Sequence, residues 1–230
     1  MTSHSNISTI LLAAGSGDRV GGNAKAFLKA GGATYLSRLV SLFADYSGQI
    51  IVALSEAELE ALDDLHIALP CQYIVGGKTR QDTIELAVPH CSGSNILVHD
   101  VARPFVPSED ILNLIEAVKT CAAVTLTSPI KVRDSLTYVE NEFVSVPVAR
   151  ENLYALKTPQ AYQTNVLVEV LSLAKTNKWR EASLVPLCKK ANISVKCLVG
   201  SKRNIKVTYP EDVLLIDEML NAMGTNRLDE

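Results

Sequence analysis

Residues 10–25, ILLAAGSGDRVGGNAK, run from an apolar strand-type segment directly into a glycine-rich loop carrying an arginine and a lysine. A segment apolar on both alternating faces must be covered on both sides. That places it inside a mainly parallel sheet, whose strands end at a carboxyl edge where ligands bind. Gly15, Gly17, Gly21 and Gly22 permit backbone conformations in which successive N–H groups converge on an anion. Arg19 and Lys25 add positive charge beside that nest, which suits a polyphosphate better than a single phosphate. The Rossmann dinucleotide fingerprint fails, because Val20 stands where G-x-G-x-x-G needs its third glycine, and no G-K-[ST] follows to make a Walker loop.

Downstream, strand and helix patterns alternate. Helical spacing over 34–45 is followed by a buried strand at 49–54, a helix at 56–66, a short strand at 72–75 and a helix at 80–88. A strand over 95–99 ends at Asp100, Ser108 is expected to cap the next helix, and 122–126 supplies a further strand. This rhythm predicts an α/β fold with a doubly wound, mostly parallel sheet. It breaks after Pro129, where 135–139 and 143–148 flank Glu140-Asn141-Glu142 and read as a β-hairpin arm projecting from the body. Helices near 165–175 and 181–190, a strand over 194–199 and a helix from Pro210 complete the pattern, so residues 1–230 are expected to form one domain with an arm at about 131–149. A lone hairpin is marginal in water, and Leu136, Tyr138, Phe143 and Val146 need a surface to bury against. The parent domain is one such surface, with the arm folded back onto it, and a second arm related by two-fold symmetry is the other; a homodimer is the arrangement expected.

The formal net charge of -3 and pI near 5.9 argue against a general nucleic-acid binder, so any anion site is local. No apolar run reaches the length of a membrane span, and MTSHSNIS lacks the features of a signal peptide, so no membrane association and a cytoplasmic location are expected. The five cysteines include no C-x-x-C pair and read as reduced, mostly buried small hydrophobes. His99 reads as a packing or hydrogen-bonding residue beside Asp100.

Strand ends supply the remaining candidates. Gly76-Gly77-Lys78-Thr79-Arg80 sets a second glycine turn and Arg80 at a helix N-terminus. Asp100 is suited to orienting sugar hydroxyls or a metal-bound water, and Arg103 to gripping a phosphate. Thr158 returns a hydroxyl after the arm, and Lys206 is expected on a short strand before the helix at Pro210.

In their order and spacing, ILLAAGSGDR with Lys25, GGKTRQDT, VHDVARPF, LKTPQAY and NIKVTYPED resemble the 2-C-methyl-D-erythritol 4-phosphate cytidylyltransferases. The closely similar ribitol 5-phosphate cytidylyltransferases share most of these motifs, so another pentitol phosphate stays open as the substrate. The resemblance implies a Rossmann-like nucleotidyltransferase fold that joins CTP to a polyol phosphate. It implies CTP contacts from Ala13, Ala14, Gly15 and Gly17 through the backbone, and nucleoside contacts from Gly77, Arg80 and Thr83. Arg19, Lys25 and Lys206 would be the charge-stabilising catalytic group. Asp100, Arg103 and Thr158 would bind the sugar phosphate, together with Arg150 delivered by a partner's arm. Mg2+, held mainly by CTP phosphates and water, is the implied cofactor. The chain departs from the family pattern with alanines at Ala24, Ala26 and Ala149, and with Arg180 in place of an acidic residue. A non-catalytic nucleotide-binding module would keep the glycine turns without needing Lys25 or Lys206, and this chain has both.

Overall fold

The computed structural model of the protein describes residues 6–14, 25–64, 69–213 and 216. Strand β1 (Ile7–Leu12) is followed by a small hairpin, β2 (Lys29–Ala30) and β3 (Ala33–Thr34), that delivers the chain to helix α1 (Tyr35–Ala44). Thr34 caps α1, its hydroxyl accepting from the Ser37 amide at 3.0 Å. Alternation continues through β4 (Gln49–Leu54), α2 (Glu56–Asp64), β5 (Gln72–Val75), α3 (Arg80–Ala87), β6 (Asn95–Asp100), α4 (Ser108–Val118) and β7 (Ala123–Pro129). The arm contributes β8 (Leu136–Glu140) and β9 (Phe143–Val148), after which β10 (Tyr154–Gln163), α5 (Thr164–Thr176), α6 (Leu184–Lys190) and β11 (Val195–Val199) return to the body.

The central sheet has seven strands in the order β11-β7-β10-β6-β1-β4-β5. Every neighbouring pair is parallel except those made by β10, which runs antiparallel to both β6 and β7. Because successive strand residues face opposite sides, Ile50, Val52 and Leu54 of β4 pack with α1 and α4, while Ile51 joins α3, α5 and α6 on the other face. The result is the expected α/β layering around a mostly parallel sheet. From β1 the chain moves outward through β4 and β5, then crosses back to place β6 on the other side of β1. That reversal opens a crevice between the carboxyl ends of β1 and β6, the place where such sheets bind ligands.

Three expectations need correction. Residues 154–163 carry no clean strand pattern, yet β10 is central to the sheet. Its Pro159 lies in a register shift between Lys157 and Gln160, where a missing N–H leaves no gap in the ladder. Lys206 is not on a strand: 204–208 form an irregular strap tied to the turn after β6 by the Val207 amide, which donates to Ala102 O at 2.8 Å. Ser108 does not cap α4 but is its first residue, preceded by Pro107, which fixes the entry without a side-chain bond.

The arm is a hairpin, as its sequence predicts. Asn141 and Glu142 both take positive φ, 50° and 72°, as a two-residue turn matched to strand twist requires. Leu136 and Val148 are half-buried, but Tyr138, Val139, Val144 and Val146 are exposed and Phe143 is 77% exposed.

Candidate active site

At the crevice, the short β6 carboxyl end puts Asp100 between two cations from distant parts of the chain. Its Oδ1 accepts from Arg80 Nε at 3.2 Å and its Oδ2 from Lys206 Nζ at 2.8 Å. The Asp100 side chain is 13% exposed and that of Lys206 is 45% exposed, so the carboxylate is recessed while the ammonium faces solvent. Burial alone would raise the Asp100 pKa, but the charges of Arg80 and Lys206 outweigh it and hold the carboxyl well below the usual range. Asp100 is therefore ionised and serves as an anchor that aims two cations into the crevice.

The strap carrying Lys206 also meets the lysine that closes the glycine loop, since Lys25 Nζ donates to Val207 O at 3.0 Å. On the β5 side, Gly77 approaches α3 so closely that an added Cβ would stand 2.5 Å from Asp82 Cβ, and a Cβ at Gly76 would stand 2.6 Å from Ala14 Cβ. The second glycine turn thus lies against Ala14 at the exit of β1, and a side chain at Gly76 or Gly77 would collide. The Gly77 amide donates to Thr83 Oγ1 at 3.0 Å, while Thr79 and Asp82 form a reciprocal capping box at the start of α3. Ala13 and Ala14 both direct their amides to Ala53 O at 2.9 Å, which fixes the exit of β1. Gly15, Gly17 and Arg19 lie outside the described residues.

Arg103 and Thr158 are each tied into the chain by hydrogen bonds. Arg103 is 9% exposed and donates through Nη1 to Asn204 O at 3.0 Å. Thr158 Oγ1 accepts from the Asp100 amide at 3.1 Å, and Thr158 O accepts from Asn204 Nδ2 at 2.8 Å. His99 is buried, with Nε2 3.0 Å from Arg103 O and its ring 5.3 Å from Phe43. Burial lowers its pKa to about 4 against smaller raising effects from Arg103 O and Asp100, so it holds the 100–103 turn as a neutral ring. Arg150 stands apart, at the base of the arm, donating to the carbonyls of Val132, Arg133 and Asp134. Among the described residues no three of His, Cys, Asp and Glu come together as a metal cluster.

The profile of one family, IspD or 2-C-methyl-D-erythritol 4-phosphate cytidylyltransferase, matches residues 7–222. The chain belongs to this cytidylyltransferase family. It is 33% identical to the 2-C-methyl-D-erythritol 4-phosphate cytidylyltransferase of Deinococcus radiodurans, over 95% of this chain and 91% of that one. The corresponding enzyme of Halalkalibacterium halodurans is 32% identical, over 93% of this chain and 96% of its own length. Among solved structures, the 2-C-methyl-D-erythritol 4-phosphate cytidylyltransferase of Thermus thermophilus superposes with a TM-score of 0.77 at 28% identity, covering 93% of this chain and 98% of its own.

Within this cytidylyltransferase, sequence reading of the site missed Asn204 and Lys157. Asn204 is wholly buried and receives Arg103 and Lys157 on its carbonyl. Lys157 stands in LKTPQAY, but a lysine on an unrecognised strand gave no signal of where its ammonium would reach. Arg180, the departure from the acidic pattern, pairs with Asp82 at 3.2 Å and Glu85 at 3.5 Å and so ties the loop before α6 to the first turns of α3.

Proposed function

We propose that this protein transfers the cytidylyl group of CTP to 2-C-methyl-D-erythritol 4-phosphate, releasing pyrophosphate and the CDP-polyol. The observation that carries the reading is the convergence of Arg80 and Lys206 on Asp100 at the β1–β6 crevice, with Lys25 bonded to the same strap. A phosphate monoester has a second pKa of about 6, so the nucleophile arrives mostly dianionic and needs no general base. Its oxygen attacks the α-phosphorus of CTP, and the electron pair leaves on pyrophosphate. The obstacle is that two anions must meet while charge builds on the phosphoryl oxygens. Fixed cations remove most of it. Lys206 and Lys25 would supply that charge with Arg19, while Asp100 keeps Lys206 and Arg80 oriented.

The turns at 13–17 and 76–80 would hold the triphosphate and read the cytosine edge through main-chain groups, with Thr83 bracing the second turn. Asp100, with Thr158 behind it, would face the sugar. Mg2+ would neutralise triphosphate charge. Because both Asp100 oxygens are taken by cations, the metal would be carried largely by phosphate oxygens and water. We read residues 1–230 as one nucleotidyltransferase domain with its arm at 131–149. The exposed arm would pair with a second copy in a homodimer and present Arg150 to the partner's sugar-phosphate site. No helix among the described residues is long and apolar enough to cross a membrane, and the free cysteines suit the reducing cytoplasm.

The test is pyrophosphate release from CTP and Mg2+ with a panel of polyol phosphates. Fastest turnover is expected with 2-C-methyl-D-erythritol 4-phosphate. Faster turnover with ribitol 5-phosphate would transfer the assignment to the pentitol-phosphate enzymes.

A further inference from the structure

The strap that carries Lys206 has no regular structure, so its position is set by the groups that pin it. The Gly200 amide donates to Thr127 O at 2.9 Å, and the Ser201 amide to the Asp110 carboxylate at 3.2 and 3.0 Å. Further along, the Val207 amide reaches Ala102 O. Between these pins, the Asn204 carbonyl takes two cationic donors. Arg103 approaches at 3.0 Å from the turn after β6, and Lys157 at 3.1 Å from β10. Lys157 also donates to Ser201 O at 3.3 Å, so it joins both ends of the 201–204 bend to the sheet.

Placing this ammonium beside Arg103 is unfavourable. Burial and then the Arg103 charge lower the Lys157 pKa, and Asp110 offsets only part of this. Nothing in the β10 ladder requires a lysine there, since the strand pairs through its backbone. Its side chain answers instead to the two strap carbonyls, and Lys206 stands between the Asn204 and Val207 pins.

We propose that Lys157 is a positioning residue for Lys206: by holding Ser201 O and Asn204 O against β10, it fixes the strap so that Lys206 meets Asp100 and the reacting phosphates. The inference rests on the cytidylyl-transfer reading. Arg103 holds the Asn204 carbonyl to the 100–103 turn and the Asn204 side-chain amide donates to Thr158 O of β10, but only Lys157 joins both strap carbonyls, those of Ser201 and Asn204, to β10.

The experiment is a double-mutant cycle on full-length protein, with kcat and KM for CTP read by pyrophosphate release. Lys157→Met is expected to lower kcat about 10-fold with KM within about 2-fold, and Lys157→Arg to restore most of the loss. In a Lys206→Ala background, Lys157→Met should cost less than about 2-fold more, because its effect passes through the missing ammonium. Equal losses in both backgrounds, or an unchanged kcat for Lys157→Met, would overturn the proposal. Amide hydrogen exchange over 201–207 gives a second readout that does not depend on turnover. It should quicken in Lys157→Met, and in Lys157→Gln if the Met variant folds poorly. An inactive wild type would strike the cytidylyl-transfer reading, whereas unchanged exchange would strike the positioning role itself.

Discussion

Asp100 shows how one recessed carboxylate organises charge that it does not itself deliver. Replacing it by Asn keeps the shape but leaves Arg80 and Lys206 repelling each other, so turnover is expected to fall by about 10²-fold in a pyrophosphate-release assay. His99 makes a separate prediction about stability. Its folded pKa of about 4 lies below the ordinary 6.5, so the unfolded chain takes up the proton first as pH falls. The stabilisation is fully present above about pH 6.5 and is lost progressively toward pH 4, by roughly 3 kcal/mol for a shift of this size. Urea unfolding at pH 7.5 and 5 should show the loss in the wild type and a flatter response in His99→Gln. An identical slope in both would place the acid sensitivity elsewhere. Asp100, held low by its cations, contributes in a different window, being lost only at pH below the usual carboxylate range. That Arg80, Asp100 and Lys206 bring charge to the same edge of the sheet was legible in their motifs, and both cations lie within hydrogen-bond distance of Asp100. How Arg103 and Thr158 are tied into the chain was not legible, because their partners depend on a bulge and a strap that only folding brings together.

Elements were legible where the apolar period was clean: β4, β5 and β6 fall where their patterns put them, while β1 begins earlier than the apolar run from Ile10, at Ile7. Strand β10 escaped because YALKTPQAYQ mixes a lysine, a threonine and a proline into a central strand, which ordinarily argues against one. The exception has a cause: the shift at Thr158-Pro159 absorbs the proline and turns Thr158 toward Asp100. Buried Gln160 and Tyr162 hold the strand beyond it, Gln160 Nε2 donating to Thr125 Oγ1 and Tyr162 OH to Gln160 Oε1, both at 3.0 Å. The second glycine turn carries the clearest prediction at this scale. Gly77→Ala would drive a methyl into the Asp82 backbone and the α3 cap, with a cost of about 1–3 kcal/mol in urea unfolding and a raised KM for CTP. Unaltered stability and KM would mean that the turn has room the structure does not show.

For the whole molecule, the doubly wound order follows from the alternation of strands and helices, and the strand reversal at β1 and β6 is where Asp100 meets Arg80 and Lys206. The arm leaves Tyr138, Val139, Phe143, Val144 and Val146 all exposed. Light scattering is expected to report a dimer for the wild type and a monomer for Phe143→Asp. If the arms also deliver Arg150 across the dimer, mixing inactive Arg150→Ala with inactive Lys25→Ala protein should restore activity by subunit exchange. Failure despite demonstrated exchange would return Arg150 to its own chain. The central claim, cytidylyl transfer at the cation cluster, is tested most directly by following label from CTP in the presence of 2-C-methyl-D-erythritol 4-phosphate and Mg2+. Phosphorus from the α position should appear in the polyol product, and the β and γ phosphorus together in pyrophosphate. Label from the γ position on the polyol, or α label released only as CMP, would contradict it.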